Sequence, residues 1–527
     1  MKNLLTIFFF STITSNISAQ YYKIDLLKDI NPGSASSFPY FLGKVDATSI
    51  YFAADDGQHG REPWKSNGTS NGTQMVMDIN NVGSNSSNPI GFTTLISEVF
   101  SFNRYVYFAA DDGTNGDELW RSQIFGNEPF TTQLLKDINP TGSSGPRVLT
   151  DVNGLLMFGA TNGTNGREFW KSNGTSAGTS MILDYQLGGI DIHITPGSIV
   201  PIGNSAFFSA VDNSSYLLEV TSTTISLVGV NDFSASSLSA NFLTKVNNNL
   251  FFSGEAYAPS NSKGRELFVK PLGQNAFLLK DINVGTNSSN PNNLTDVNGT
   301  LFFTAYNGTS YGIWKSDGTI AGTQIVKTID ARNLCNVNGT LFFHSFNGNQ
   351  LQLWKSDGTT TGTVLVKTLN NYNNVLNAGT YVNFNGKFIF ESYSDTYGSE
   401  LWQSDGTAAG TFIIKDINPN SGSSTPGNLT VVNNTLYFTA NNGILGAELY
   451  KMYNCFGPEL NYTTKNGNWS DPTVWSCGRV PVTTEAVTIK GHTININGNF
   501  GVNGILFEGG NITIPTGSTL TYYQTSP

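Results

Sequence analysis

The chain has 527 residues and a formal net charge of −10, and 13% of its residues are charged while 12% are aromatic. It contains no cluster of Lys and Arg, which argues against binding of nucleic acid or of anionic lipid, because basic patches supply much of both affinities. Abundant Phe, Tyr, Thr, Asn and Gly favour many short strands joined by tight turns.

The N-terminus has the features of a secretory signal peptide. Lys2 precedes an apolar run from Leu4 to Phe10, and a stretch of small residues ends at Ser18-Ala19. The apolar run is too short to span a bilayer, so cleavage after Ala19 is favoured over a membrane anchor. We therefore expect residues 1–19 to be removed and the mature chain to be secreted or to lie on the outer cell surface, without membrane insertion.

A repeat of the form Glu-Leu-Trp-Lys-Ser-Asp-Gly-Thr-x-x-Gly-Thr dominates the chain. Internal repetition of this kind is typical of propellers, solenoids and related arrays. Nine copies are counted when a degenerate one at Tyr216–Glu219 is included. The other eight place their aromatic residue at Trp64, Trp120, Trp170, Phe268, Trp314, Trp354, Trp402 and Tyr450.

Each repeat is interpreted as four short strands. In one copy these are Leu294–Val297, Thr300–Ala305, Ile313–Ser316 and Thr323–Lys327. The Asn-Gly and Asp-Gly pairs between them are typical of tight hairpin turns, which make neighbouring strands antiparallel. A four-stranded sheet needs neighbours to cover its faces, so a large β-propeller is predicted, with an open β-solenoid as the competing architecture.

The ends of the array favour closure into a ring. A fourth-strand sequence at Leu26–Asn31 precedes the first complete repeat, and the last repeat, ending at Glu448–Lys451, has no fourth strand after it. Pairing of these two segments would hide both free edges. The propeller is predicted to have nine blades if the degenerate copy within residues 181–229 is a true blade, and eight if it is not.

The best copies of the repeat, Leu353–Thr363 and Glu400–Thr411, resemble the ELWxxDGT repeat family of exported proteins in Bacteroidetes-like and some other bacteria. The resemblance covers roughly residues 24–452. It implies secretion and a propeller-like fold, and it implies no catalytic residues. The chain departs from the family pattern within residues 181–229, and also after Arg121-Ser122, where Asp-Gly-Thr does not follow.

The C-terminal region has a different sequence pattern. Short alternating runs such as Val487–Ile489 and Thr493–Ile496 are separated by Gly and Asn, which predicts a small β-solenoid-like or sandwich module. We therefore assign residues 20–453 to the propeller and residues 454–527 to a β-rich module. Cys455 and Cys477 could form a disulfide in an exported chain, whereas Cys335 is expected to be buried.

No catalytic constellation is recognisable in the sequence. The four His residues fall in different repeats or domains, and no Gly-x-Ser-x-Gly motif occurs. Acidic residues instead recur in register with the repeats, which predicts that they satisfy backbone groups or pair with Lys. The recurring ones are Glu62, Glu118, Glu168, Glu266, Glu400 and Glu448 before the aromatic residue, and Asp29, Asp78, Asp137, Asp281 and Asp416 in the fourth strand.

One pattern resembles a metal site. The segments Asp55-Asp56-Gly57 and Asp111–Asp117 combine carboxylates with Gly, as calcium loops do. Equivalent segments read Asn162-Gly163 and Asn442-Gly443, so the shared requirement is an Asn/Asp-Gly turn. The sequence therefore predicts no catalytic, cofactor-binding or metal-binding residues and no cofactor, with calcium as the weaker alternative.

Three classes of function remain open on sequence alone. The favoured one is a binding or adhesion protein that recognises extracellular polysaccharide or protein with the loops of its propeller, since loops on a rigid scaffold form a binding surface. The alternatives are a structural component of a surface or matrix, and a carbohydrate-active enzyme. Because no catalytic constellation is found, the sequence predicts that the chain is not an enzyme. Five aromatic residues, Trp120, Trp170, Trp314, Trp354 and Trp402, are expected to be buried between blades.

Overall fold

A computed structural model describes residues 22–46, 48–95, 104–125, 131–184, 193–194, 199–211, 215–231, 237–257, 263–348, 350–371, 381–455, 461–477, 479–483 and 485–522. The proposed signal peptide, residues 1–19, lies outside these described residues. One compact unit is Leu26–Tyr450, and a second contains residues 22–25 with 451–522. No helix within the described ranges is long and apolar enough to cross a membrane.

The first unit is a nine-bladed β-propeller. The first five blades contain the strands β2 Tyr40–Lys44, β3 Ile50–Asp55, β4 Arg61–Ser66 and β5 Gln74–Met75 (blade 1); β6 Ile90–Thr94, β7 Arg104–Asp111, β8 Asp117–Phe125 and β9 Thr132–Lys136 (blade 2); β10 Arg147–Val152, β11 Leu155–Thr161, β12 Arg167–Ser172 and β13 Ser180–Leu183 (blade 3); β14 His193–Ile194, β15 Val200–Ile202, β16 Ser205–Val211, β17 Ser215–Val220 and β18 Ile225–Leu227 (blade 4); and β19 Ser237–Val246, β20 Asn249–Tyr257, β21 Glu266–Pro271 and β22 Phe277–Lys280 (blade 5).

The remaining blades follow the same antiparallel order. Their strands are β23 Asn292–Val297, β24 Thr300–Tyr306, β25 Tyr311–Ser316 and β26 Gln324–Thr328 (blade 6); β27 Ala331–Val337, β28 Thr340–Asn347, β29 Gln350–Ser356 and β30 Val364–Asn371 (blade 7); β31 Tyr381–Phe384, β32 Lys387–Ser394, β33 Gly398–Ser404 and β34 Phe412–Lys415 (blade 8); and β35 Gly427–Val432, β36 Thr435–Asn441, β37 Ala447–Asn454 and β1 Tyr22–Lys28 (blade 9).

The degenerate repeat is a true blade, which decides between eight and nine. In blade 4 the strands β16, β17 and β18 pair as in the other blades, and two short strands, β14 and β15, both pair with β16 in place of a single first strand. Apolar contacts join it to both neighbours: Phe208 packs in one cluster with Val152 of blade 3, and Phe207 in another with Leu250 of blade 5.

The predicted closure of the ring is confirmed. The N-terminal strand β1 pairs with β37 and forms the outermost strand of blade 9. Blade 9 in turn packs on blade 1, because Tyr437 and Val432 share an apolar cluster with Phe52 and Trp64. The first and last repeats therefore complete one sheet and leave no blade at the end of an open array.

The recurring glutamates hold the connections between blades. In blade 1, the Glu62 carboxylate accepts hydrogen bonds from the backbone N–H groups of Ile79 (2.9 Å) and Ser87 (2.8 Å) and from the Ser87 hydroxyl (2.6 Å). Glu118, Glu266 and Glu448 accept the same three bonds in blades 2, 5 and 9. The prediction that these carboxylates satisfy backbone groups is confirmed, although burial raises their pKa values.

The sequence predicted that the recurring aspartates lie in the fourth strands, and this prediction is wrong. Asp29, Asp137, Asp281 and Asp416 each follow the last residue of the strand, and Asp78 lies three residues beyond Met75. The Lys before the Asp makes the contact to the next blade instead. Lys28, for example, donates to the Thr73 carbonyl (2.6 Å), and Lys280 to the Thr323 carbonyl (2.6 Å). These strands are short because the chain must turn there toward the next blade.

The motif Trp residues pack between blades. Trp120, Trp170, Trp314 and Trp402 are buried, while Trp354 is half-buried and packs against an apolar cluster of blades 6 and 7. Each side chain lies opposite a fully buried Phe of the second strand, such as Phe303 opposite Trp314. The prediction that these Trp residues form core is confirmed.

The C-terminal module is a short parallel β-solenoid. Its strands are β38 Gly467–Asn468, β39 Ala486–Lys490, β40 Thr493–Asn495, β41 Asn499–Val502, β42 Gly504–Glu508, β43 Asn511–Thr513 and β44 Thr519–Tyr522, with a 3-10 helix at Pro472–Val474. Strands β39, β40 and β41 stack in parallel on β42, β43 and β44. Trp469, Ile489 and Ile494 lie in its core, so the solenoid alternative of the sequence prediction holds.

Candidate functional site

The three His residues whose side chains the structure describes do not form a common site. The His59 side chain is 39% exposed, and its Nδ1 lies 2.8 Å from an Asp56 oxygen, which raises the His59 pKa. His344 is buried between blades 7 and 8 against Phe388 and Phe390, and burial lowers its pKa to about 4. His492 belongs to the C-terminal module, where Nδ1 lies 3.0 Å from the Thr463 hydroxyl. The His193 side chain lies outside the described residues.

The Cys residues have structural roles. Cys455 and Cys477 form a disulfide in the C-terminal module, the pairing that the sequence left open. Cys335 lies on the first strand of blade 7, where burial raises its thiol pKa to about 11. A thiol with a raised pKa has little thiolate at neutral pH, so Cys335 is poorly suited to nucleophilic chemistry.

The carboxylate-rich segment of blade 2 has the same hydrogen-bonded turn as the Asn-containing segment of blade 3. Asp112 Oδ1 accepts hydrogen bonds from the backbone N–H groups of Thr114 (2.9 Å) and Asn115 (2.7 Å). In blade 3, Asn162 Oδ1 accepts the same two bonds from Thr164 (3.0 Å) and Asn165 (2.9 Å). Within the described ranges, no group of three or more His, Cys, Asp and Glu side chains is arranged to hold a metal ion.

A position outside the repeat motif distinguishes three neighbouring blades. The blades can be aligned on the fully buried Phe of each second strand, such as Phe52 in blade 1 and Phe303 in blade 6. The residue three positions after this Phe ends or nearly ends the strand. In blades 6, 7 and 8 this residue is aromatic: Tyr306, Phe346 and Tyr393. In blades 1, 2, 3, 5 and 9 it is Asp55, Asp111, Thr161, Glu255 and Asn441.

Two further Tyr residues lie beside these three. Tyr311 pairs with Tyr306 across the hairpin, with ring centroids 5.2 Å apart, and its side chain is 51% exposed. Tyr397 belongs to the equivalent hairpin of blade 8 and is 39% exposed, and Tyr393 is 40% exposed. We call Tyr306, Tyr311, Phe346, Tyr393 and Tyr397 the aromatic arc.

The arc has rigid support, and its charged neighbours include an ion pair in blade 7 and the exposed Asp395 between Tyr393 and Tyr397 in blade 8. In blade 7 the Arg332 guanidinium lies 5.2 Å from the Phe346 ring centroid, and its charge is balanced by Asp330, 3.2 Å away. In blade 6 the Tyr306 hydroxyl donates to the Gly308 carbonyl (3.0 Å). Each ring therefore stands on a hairpin whose strands belong to a packed blade. Such rings provide amphipathic contact area at low entropic cost.

Sequence reasoning missed the arc, although the signal was present. Tyr306 precedes Asn307-Gly308, a turn of the same kind as Asn162-Gly163 and Asn442-Gly443, and the sequence prediction concerned only such turn residues. Counting three residues from each buried Phe would have aligned Tyr306, Phe346 and Tyr393. The structure makes that count meaningful, since it shows that the blades are consecutive and that the turns lie on one face.

Comparison with known proteins finds only distant structural similarity. No family model and no curated protein matches the chain. Solved structures similar to it include puromycin hydrolase (10% identity, TM-score 0.36, 80% of this chain and 60% of that one). Others are the β-propeller domain of the Trilobed protease from Pyrococcus furiosus (11%, 0.32, 66% and 100%) and an oligogalacturonate lyase in complex with manganese (11%, 0.32, 57% and 86%).

These similarities correct one prediction. The sequence predicted that the chain is not an enzyme, because it lacks a recognisable catalytic motif. That prediction is wrong as an exclusion, since a hydrolase and a lyase are among the structures that the chain resembles. The chain spans about 60% of the length of puromycin hydrolase. At these low identities and TM-scores the likeness concerns the fold, and it transfers neither an activity nor a catalytic residue.

Proposed function

We propose that the protein binds an extracellular polysaccharide along the aromatic arc of blades 6, 7 and 8. The observation that carries the proposal is the aromatic residue at one structural position in three consecutive blades, where five other blades have Asp, Thr, Glu or Asn. Exposed apolar groups collected on one surface mark interaction sites, because they are otherwise a cost to solubility.

The chemistry of the arc favours a glycan over a protein. A polysaccharide repeats the same ring along its length, and aromatic residues at successive blades repeat along the rim in the same way. Tyr adds a hydroxyl at the edge of each ring, which can bond to sugar hydroxyls. The Asp330–Arg332 pair balances its own charge, and the exposed Asp395 lies between Tyr393 and Tyr397, so a neutral glycan is favoured over an anionic one.

The test is a glycan array, followed by affinity measurements on the best ligand, with the mature chain. The triple variant Tyr306→Asn, Phe346→Asn and Tyr393→Asn introduces the residue that blade 9 has at this position, Asn441. We expect binding to weaken at least tenfold with little change in the unfolding temperature. The matched control is Asp55→Asn, Asp111→Asn and Thr161→Asn, the same position on blades 1, 2 and 3, which should leave affinity unchanged.

Two results would contradict the proposal. One is a glycan that binds equally well to the triple variant and to the unsubstituted chain. The other is a failure of every glycan together with a protein ligand whose binding needs the arc. Reducing-end release is measured in the same samples, because turnover of the bound glycan would replace simple binding with cleavage.

A further inference from the structure

The connection from blade 6 to blade 7 is much shorter than its counterparts. It consists of Ile329 and Asp330, between β26 and β27. The connection into blade 6 contains residues 281–291, and the connection into blade 9 contains residues 416–426. Long connections also enter blades 1, 2 and 3, as residues 29–39, 76–89 and 137–146. Blade 7 therefore lacks a loop that these five blades have.

The long connections fill space beside the hairpin between the second and third strands of the blade that they enter. A Cβ placed on Gly308 of the blade 6 hairpin would lie 2.8 Å from the Asn283 side chain of the connection, and one on Gly443 of blade 9 would lie 2.5 Å from the Asn418 side chain. The equivalent glycine of blade 7 is Gly348, which is exposed. Beyond its chain neighbours, no described atom lies within 4 Å of a Cβ placed there.

Blade 6 also lacks the glutamate that holds such a loop. Glu266 of blade 5 accepts hydrogen bonds from the backbone N–H groups of Ile282 and Ser289 (both 2.8 Å) in the connection that follows. In blade 6 this position, two residues before Trp314, is occupied by Gly312. The short connection and the missing carboxylate are thus two departures from the repeat at one junction, and that junction lies within the aromatic arc.

An ion pair lies where the loop is missing. Asp330 and Arg332 are 3.2 Å apart, and their side chains are 50% and 54% exposed. The Arg332 guanidinium lies over the Phe346 ring, which supports it. We call Asp330, Arg332, Phe346 and Gly348 the blade 7 gap. Residues 372–380, between β30 and β31, lie outside the described residues and are not part of it. A carboxylate that accepts and a guanidinium that donates can together bond the hydroxyls of a neutral sugar ring.

We propose that the arc binds an internal segment of a neutral polysaccharide, with one sugar ring in the blade 7 gap held by Asp330 and Arg332. Exposed aromatic residues on both neighbouring blades favour an internal segment, because Tyr311 of blade 6 (51% exposed) and Tyr393 of blade 8 (40% exposed) offer contacts to the rings on either side. The inference rests on the proposed function of the arc. It adds the part of the glycan that is recognised and the two polar residues that recognise it.

The experiment titrates the mature chain with cellohexaose, maltohexaose, mannohexaose and laminarihexaose, with their borohydride-reduced forms and with the matching disaccharides, by calorimetry. At least one hexasaccharide is expected to bind saturably. Its reduced form should bind within about twofold of it, because reduction opens only the terminal ring. The matching disaccharide should bind at least tenfold more weakly, because it cannot contact both neighbouring blades.

The first variant removes a polar group of the gap. Arg332→Asn introduces the residue that blade 6 has at the same position, Asn292, and should weaken binding of that hexasaccharide at least tenfold, because a charge-assisted hydrogen bond is lost. Arg147→Asn is the matched control, since Arg147 has the same position in blade 3. It should leave the affinity unchanged.

The second variant fills the gap. Residues 281–291, the connection into blade 6, replace residues 329–330, and binding should again weaken at least tenfold. The control puts the same segment in place of residues 29–39, the connection into blade 1, where a loop already stands, and it should bind normally. Unfolding temperatures show which variants fold, and Arg332→Asn decides alone if the loop variant does not.

The proposal is overturned if no hexasaccharide binds saturably, if the disaccharide binds as tightly as the hexasaccharide, if reduction of the end abolishes binding, or if a folded gap variant binds normally. The triple Asn variant of the arc separates this failure from failure of the proposed function. If the triple variant loses binding while a gap variant keeps it, the arc binds the glycan without the gap. If the triple variant keeps binding as well, the proposed function fails too.

Discussion

Glu448 and Ile30 are 418 residues apart in the chain, and the Glu448 carboxylate accepts a hydrogen bond of 2.9 Å from the Ile30 backbone N–H. The same carboxylate accepts from the backbone N–H of Ser37 (2.9 Å) and from its hydroxyl (2.5 Å). These contacts fasten the connection between blade 9 and blade 1. The ring is therefore closed by the same carboxylate contact that joins consecutive blades elsewhere.

Replacing Glu448 with Gln should destabilise the propeller by roughly 1–3 kcal/mol, the usual cost of leaving a buried donor without its acceptor. The amide has one acceptor oxygen and presents N–H groups to the donors of Ile30 and Ser37. Unfolding in urea, monitored by Trp fluorescence, gives the free energy. Ser37→Ala removes one donor and should cost less than Glu448→Gln. A Gln variant as stable as the unsubstituted chain would show that these bonds contribute nothing net.

Trp314→Ala should cost on the order of 3–5 kcal/mol, as large-to-small substitutions of buried aromatic residues do. The Trp314 side chain is 7% exposed and packs against the apolar cluster between blades 5 and 6. Trp354→Ala provides the comparison within the same motif. Because Trp354 is half-buried, this substitution should cost less stability than Trp314→Ala. Equal losses at the two positions, measured by chemical unfolding, would argue against burial as the cause.

His344 should make the protein less stable in acid. Burial lowers its pKa from 6.5 to about 4, so between these values the unfolded state binds more protons than the folded state. The free energy of unfolding is then lost as pH falls from 6.5 to 4, by about 3 kcal/mol in total. His344→Thr, which introduces the residue of blade 6 at this position (Thr304), should remove that part of the pH dependence.

The free energy of unfolding is measured against pH for the unsubstituted chain and for His344→Thr, and the two profiles are subtracted. The subtraction is needed because buried Glu residues with raised pKa values add a pH dependence of their own. His59→Asn is the control, since the His59 side chain is 39% exposed and its pKa is raised by Asp56. It should leave the loss of stability in acid in place. If the His344→Thr profile runs parallel to that of the unsubstituted chain, His344 is not the group responsible.

Removal of calcium should leave the unfolding temperature unchanged. A bound ion would stabilise the folded state by about 2.7 kcal/mol at a hundredfold excess over its dissociation constant, so a real site is readily detected by adding calcium and then a chelator. Asp112→Asn should also have little effect, because Asn162 forms the same turn in blade 3 and donates to Asn165 Oδ1 (2.8 Å). A calcium-dependent rise that Asp112→Asn abolishes would make Asp112 a ligand.

The sequence by itself determined the blade, because the pattern that makes a blade is local. The turns at Asn298-Gly299 and Asp317-Gly318 and the alternation between them predict β23 to β26 to within two residues at each end. The unpaired segment Leu26–Asn31 also predicted closure, since the repeat shows which strand is missing. The roles of Glu62 and Trp314 followed from their register, because a group that recurs in every blade meets the same neighbours in every blade.

Only the tertiary structure decided the features that depend on a neighbouring blade. Blade 4 was recognisable once β16 and β17 were seen to pack against Val152 and Leu250, although the motif is missing there. The arc exists because Tyr306, Phe346 and Tyr393 lie at or next to the end of the second strand in adjacent blades. The physical reason is that a sequence repeat specifies contacts within a blade, whereas the aromatic arc arises where neighbouring blades depart from the repeat.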